Sequence, residues 1–257
     1  MPHLIGVASG KGGVGKTTFS VNLAMALAQS NVGVALVDGD MGLANAQLHL
    51  NVRAKHTLSD HLMKGVALSD VGINVRENLR LFPGSSGDRA MANLPIPSLV
   101  AMVEDLKEEI TADCIIIDIA AGISDQILEI LNLCDSKMIV MTDEPTSIAD
   151  AYGLTKLIHQ REDIRNVYLI PNQVSSPEHG RKVFDNMNKL TLNFLSMPLG
   201  YLGSIEADTN VVKSVKQRIP LKEISKESIA WTNICQIAEE TLSSLIASIG
   251  KQALIEG

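Results

Sequence analysis

Aromatic side chains are scarce in this chain: one Trp, three Tyr and four Phe among 257 residues. A core with so few rings has to be aliphatic, as in parallel sheets buried on both faces, and the hydrophobic content of 46% is ample for one. Cysteine is equally sparse. Cys114, Cys134 and Cys235 are far apart and form no Cys-x-x-Cys pair, which excludes a disulfide scaffold and a zinc ribbon and suits a reducing cytosol. The six histidines show no metal-ligand spacing. No apolar run approaches the roughly 18 residues that read as a membrane-spanning helix. No basic region precedes the first apolar run, so no secretory leader is expected and the chain reads as soluble and cytoplasmic. Positive charge is also short: 22 basic against 29 acidic residues, a net charge of −7. That balance argues against broad electrostatic binding to DNA. No internal repeat or low-complexity stretch is visible.

What is present begins at residue 10. Gly10-Lys11-Gly12-Gly13-Val14-Gly15-Lys16-Thr17 fits the pattern G-x-x-x-x-G-K-[ST], a loop whose backbone N–H groups wrap phosphate oxygens. The apolar run from Leu4 to Ala8 leads in, and a helical pattern (Val21, Leu23, Ala24, Leu27) leads out. The glycines allow close approach to phosphate and positive φ. The helix N-terminus adds its positive dipole end. Lys16 is expected to meet the β- and γ-phosphates and the Thr17 hydroxyl to bind Mg²⁺, with Thr18 beside it in the nucleotide-binding set.

Further along, Val34–Val37 reads as a buried strand ending in Asp38-Gly39-Asp40, carboxylates placed where parallel sheets bind ligands. Cys114-Ile115-Ile116-Ile117-Asp118 is an apolar run ending in an aspartate, suited to holding Mg²⁺ through water. Gly122, in Ala120-Ala121-Gly122-Ile123-Ser124, can turn its N–H to a γ-phosphate. Other strands are expected at Leu79–Phe82, Met138–Thr142, Val167–Ile170 and Leu199–Gly203. Helices are expected over 57–65, 96–110 and 145–160. Lys213, Lys216, Arg218, Lys222 and Lys226 read as a solvated basic face. The tail, about 228–257, carries apolar positions at helical spacing and reads as an amphipathic helix docked on the sheet, its last ten residues a weak membrane anchor at most.

Lys11, the extra lysine of K-G-G-V-G-K-T, together with the later segments, resembles the deviant phosphate loop of the MinD/ParA group of ATPases. Glu144-Pro145-Thr146-Ser147 and Ser175–Phe184 are most similar to its flagellar branch, the FlhG/FleN regulators of flagellar number. The resemblance spans essentially the whole chain. It implies one doubly wound α/β domain over residues 1–257, with seven or eight mostly parallel strands, ATP/ADP and Mg²⁺ as ligands, and an ATP-dependent homodimer. It implies that Lys11 reaches the partner's phosphates, that Asp40 orients the attacking water and that Asp38 supports the Mg²⁺ shell. It places Asn172 on the adenine edge and puts backbone groups of Ser204, Ile205 and Glu206 on the base. Gly39, where relatives carry other residues, is expected to loosen the switch, and Gln47 stands where relatives usually have aspartate.

The partners implied are a signal-recognition-type GTPase like FlhF, flagellar switch or C-ring proteins, and a flagellar transcription regulator, with transient contact at the inner membrane or cell pole. Division-site selection of the MinD type and positioning of the ParA type are the alternatives. An iron–sulfur reductase of similar fold would need a cysteine pair the chain lacks. A tyrosine kinase would want a tyrosine-rich tail, whereas Tyr152, Tyr168 and Tyr201 all lie inside the domain.

Overall fold

The computed structural model describes residues 1–40, 44–87, 94–161 and 166–253, with 245–253 as backbone only. Among the described residues nine strands form the sheet, and all but one run parallel. They are β1 (His3–Ala8), β2 (Val34–Gly39), β3 (Ile73–Arg76), β4 (Leu79–Phe82), β5 (Cys114–Ile119), β6 (Ser136–Met141), β7 (Val167–Val174), β8 (Gly200–Tyr201) and β9 (Ile205–Glu206). The spatial order is β3-β4-β2-β5-β1-β6-β7-β8, with β9 also paired to β7. The chain lays β2, β3 and β4 on one side of β1, returns to insert β5 between β2 and β1, and then adds β6, β7 and β8 on the other side. The carboxyl end of β1 is therefore a topological switch point, where open α/β sheets bind ligands.

Alternation along each strand decides what meets what. In β1, Leu4 and Ala8 pack on one side, Ile5 and Val7 on the other. The first side is covered by α5 (Ile96–Glu109), α6 (Asp125–Leu133), α7 (Pro145–His159) and α8 (Pro177–Leu195). The second is covered by α1 (Lys16–Gln29) and α11 (Ile229–Ala253). Cys114 and Ile116 face α1, so by period two Asp118 does as well. Leu36 likewise faces α1, which puts Asp38 on that side. Full burial of each such aliphatic side chain contributes about 1.5–3 kcal/mol.

Short elements complete the layers: α2 (Ala46–His49), α3 (Leu58–Lys64), α4 (Leu68–Val71), α9 (Thr209–Gln217) and α10 (Leu221–Ile224). Thr57 and Asp60 form a capping box at α3, and Gly65 ends it at φ 68°, so the 57–65 helix lies where expected.

Several expectations are corrected. The sheet has nine strands rather than seven or eight, because β8 and β9 are separate two-residue strands and β3 pairs antiparallel at the edge. β7 extends beyond the expected Ile170 to Val174, so Asn172 lies within the strand. The tail helix lies on the second face of the sheet beside α1, as expected, with its closest packing on α1 and β9. Gly39 is a buried strand residue; a Cβ there would stand 2.9 Å from Ile117 Cγ2 and 3.1 Å from the Asp118 carbonyl. Close approach of β5, not mobility, calls for glycine. Met41, Gly42 and Leu43, in the segment read as a switch, lie outside the described residues.

Candidate functional site

The loop Gly10–Thr17 leaves β1 at the switch point and becomes α1 at Lys16. Gly15 caps the helix at φ 93°, a left-handed conformation that L side chains avoid, and a Cβ there would stand 2.4 Å from Asn172 Nδ2. Neither a capping side chain nor an acidic residue occupies the first turn of α1. Its leading N–H groups and dipole are left for an anion.

Beneath the loop lies a buried charge cluster. Lys16, 8% exposed, donates from Nζ to Asp118 Oδ1 at 2.8 Å. Ser20 Oγ donates to the same oxygen at 3.0 Å. Asp118 Oδ2 is buried with no hydrogen-bond partner. Asp38 lies directly across the strand pair from Asp118. Its Oδ2 accepts the N–H groups of Asn45 and Ala46, each at 2.8 Å, and its Oδ1 accepts that of Asp40 at 3.3 Å. Burial, then the negative charge of Asp118, push the Asp38 carboxyl up to about 7 against those three hydrogen bonds.

Two facing carboxylates, one of them paired with Lys16 and carrying an orphaned oxygen, fit a divalent cation bound through water. No cluster of three or more His, Cys, Asp or Glu capable of caging a metal occurs among the described residues. That pattern suits Mg²⁺, which keeps several waters and takes the rest of its shell from few carboxylates and from phosphate. Asp38 keeps its proton to about pH 7 when folded but loses it near 3.8 when unfolded. The folded state therefore holds more protons between these values, and stability falls as pH rises from about 4 to 7. Mg²⁺ with nucleotide favours the carboxylate. It should accordingly raise the melting temperature more at about pH 8 than at about pH 6. Equal shifts at both would show that Asp38 does not titrate against the charge of the site.

Two expected phosphate contacts are engaged elsewhere. The N–H of Gly122, at φ 122°, donates to the Ser9 carbonyl at 2.9 Å. Lys11 Nζ donates to Glu144 Oε2 at 2.9 Å and Thr146 Oγ1 at 3.1 Å, at the start of α7. Thr17 opens onto a second hollow, with Asn45, Leu48, His49, Val215 and Arg218.

Beside the loop is a largely apolar cavity of about 430 Å³, bounded by Gly13, Gly15, Thr18 and Phe19 on one side and Asn172, Gln173, Ile205 and Glu206 on the other. Val211 and Val212 of α9 and Ile234 of α11 close it. Asn172 joins the two sides: Nδ2 donates to the Val14 carbonyl at 2.7 Å and Oδ1 accepts the Gln173 N–H at 2.9 Å. One hydrogen and one lone pair remain on that amide for a base edge. The Ser204 hydroxyl accepts from Tyr201 at 3.3 Å and sits against Gly180. Sequence reasoning missed Glu144, Thr146, Ser20 and Ile234. Glu144 and Thr146 stand out only as part of a family-like segment, and Ser20 and Ile234 belong to no motif, because the role of each depends on a partner distant in the chain.

A loop of this geometry at the switch point of a parallel sheet defines a phosphate-loop nucleotide-binding α/β protein. More narrowly, the chain belongs to the CobQ/CobB/MinD/ParA nucleotide binding domain family, whose model matches residues 5–221. It is 36% identical over 240 residues to the antiactivator FleN of Pseudomonas aeruginosa, covering 91% of this chain and 85% of that one. It is 33% identical over 244 residues to the flagellum site-determining protein YlxH of Helicobacter pylori, covering 94% and 82%. Its backbone superposes with a TM-score of 0.78 on the septum site-determining protein MinD of Pyrococcus horikoshii in complex with Mg-ADP. That pair is 25% identical and covers 94% and 96% of the two chains.

Proposed function

We propose that this protein is an ATP-hydrolysing molecular switch that sets flagellar number or placement through partner proteins. The observation that carries the reaction is the buried Lys16–Asp118 pair with the orphaned Asp118 Oδ2 beside it. Lys16 is poised to leave Asp118 for the β- and γ-phosphates. Thr17 and Asp118 would hold a hydrated Mg²⁺, with Asp38 supporting its surroundings, and the ion would supply charge neutralisation at the phosphates. Loop N–H groups from Gly10 to Thr18 position the phosphates. Gly122 gives up the Ser9 carbonyl to register the γ-phosphate, and Asp40, tethered through its own N–H to Asp38, orients the attacking water. Asn172 and the Ile205–Glu206 strand receive the adenine.

Lys11 acts in trans. Two copies sandwich two nucleotides, and each Lys11 exchanges Glu144 for its partner's phosphates. Hydrolysis then dissolves the dimer, so that ATP and ADP states present different surfaces. The flagellar output is supported by the two bacterial relatives, an antiactivator and a flagellum site-determining protein. The name antiactivator favours an activator as one partner; the family resemblance adds an FlhF-like GTPase and flagellar switch or C-ring proteins. Among the described residues no helix is long and apolar enough to cross a membrane. Any attachment at the inner membrane or pole would run through the end of the tail helix and depend on ATP.

Light scattering on a sizing column tests the switch. The wild-type chain should be a monomer without nucleotide and a transient dimer with ATP and Mg²⁺. Asp40→Ala should bind ATP and remain dimeric, because the water is no longer oriented. A chain that stays monomeric in ATP, with Asp40→Ala behaving identically, would rule out the sandwich. Deleting the gene and counting flagella per cell tests the output; an unchanged number and position would favour the MinD- or ParA-type alternative.

A further inference from the structure

The C-terminal helix reaches the base cavity from the side opposite the phosphate loop. β9 consists of Ile205 and Glu206 alone; one edge pairs with β7 and the other faces α11. The Glu206 N–H on that second edge donates to Asn233 Oδ1 at 3.0 Å, and Asn233 Nδ2 donates to Glu206 Oε1 at 3.5 Å. One amide thus grips both the main chain and the carboxylate of a residue that bounds the cavity. Asn233 is itself buried, 8% exposed, and the adjacent Ile234 lines the cavity. One turn on, Ile237 packs against Gly203, just before β9.

The far end of the same loop is hung from the same helix. Asp208 Oδ1 accepts the Asn210 N–H at 2.7 Å and so caps α9. Its Oδ2 accepts from Ser228 Oγ and, at 3.3 Å, from the N–H of Ala230 in the first turn of α11. The wall Ile205–Asp208 is therefore suspended between two side-chain anchors, both tied to α11.

We propose that Asn233 is a positioning residue for base recognition: it holds β9 at the base edge and links occupancy of the cavity to the docking of α11 on α1. The proposal rests on the nucleotide-site reading given above and adds a specificity element from outside the phosphate loop. A two-residue strand does not hold itself in place. Without Asn233, the Glu206 N–H would be left unmade beside Ile234 and Ile237, and the strand would shift to recover a partner. The linkage is reciprocal. A ligand that prefers the undocked helix weakens base binding by the same factor by which the base holds the helix down.

The experiment uses the full chain with Mg²⁺ and two probes, ATP and ribose 5-triphosphate, which keeps the phosphates and lacks the base. Asn233→Ala should weaken ATP about tenfold, the size of one unmade buried hydrogen bond, and leave ribose 5-triphosphate within about twofold. Asn233→Asp should weaken ATP similarly, since two carboxylates then face each other. Adding Glu206→Gln to Asn233→Asp restores a donor–acceptor pair with the roles exchanged, and should recover ATP affinity. This exchange decides the matter if Asn233→Ala does not fold.

The chain's single tryptophan, Trp231, lies on α11 two residues before Asn233, stacked near Lys222. Its emission should change when ATP binds the wild type and stay constant in Asn233→Ala. Equal weakening of both probes, unchanged ATP affinity, or failure of the exchanged pair to recover would each overturn the positioning role. Wild-type protein that binds neither probe would instead overturn the nucleotide site itself. Wild-type protein that binds both equally would overturn base recognition by the cavity.

Discussion

Lys11→Ala is expected to lower the rate of ATP hydrolysis by about 10³-fold or more, the range measured for charge donors supplied in trans to a γ-phosphate. Nucleotide binding to the monomer should persist, because the other loop residues and Lys16 still hold the phosphates. The reason for separating the two effects lies in where Lys11 is found. Its ammonium is paired with Glu144 and Thr146 of its own chain, and both ion-pair side chains are substantially exposed, 40% and 61%. An exposed pair of this kind contributes about 0–1 kcal/mol, so release toward a partner costs little. Single-turnover hydrolysis at high protein concentration, compared with nucleotide affinity by calorimetry, separates the steps. A Lys11→Ala protein that hydrolyses at the wild-type rate would remove the trans contribution from the mechanism.

Lys16→Ala is expected to act twice. Affinity for ATP should fall by about 10²-fold or more, because a buried charge facing the phosphates is gone. Stability without ligand should also fall by about 3–5 kcal/mol, since Asp118, 1% exposed, is left with no cation beside it. Asp118→Asn introduced into Lys16→Ala should recover most of that stability by removing the stranded charge, while ATP affinity stays low. Denaturant titrations of the two single mutants and the double mutant measure the coupling directly. If the double mutant is no more stable than Lys16→Ala, the pair contributes nothing to the unliganded fold, and Lys16 serves only the ligand.

Much of this site was legible in the order of residues along the chain. The phosphate loop is local: its glycines, lysine and threonine are contiguous, and the chemistry of each follows from the motif. The strands that carry Asp38 and Asp118 announce themselves as short aliphatic runs, because a parallel strand is covered on both faces and has no polar side to show. β3 escaped notice because Ile73–Arg76 alternates at an exposed edge, with half its side chains polar. β9 escaped because two residues make no pattern at all. The position of Gly39 was read as freedom when its cause is Ile117 across the ladder, a contact that local sequence does not express. Glu144, Ser20 and Asn233 share that limitation. Each matters through a partner far away along the chain, and ordinary helix-start or helix-face chemistry would account for any of them.

Asn172 ties the two halves of the pocket together with a single amide. Its hydrogen bond to the Val14 carbonyl lies inside the phosphate loop, and one hydrogen and one lone pair of the amide are left over for a base at the proposed site. A nucleotide carrying the wrong base would therefore disturb the loop that holds its own phosphates. Discrimination between bases should appear in turnover as well as in occupancy, so that a cell rich in competing triphosphates would find this switch slow to run on the wrong fuel even when it is filled with it.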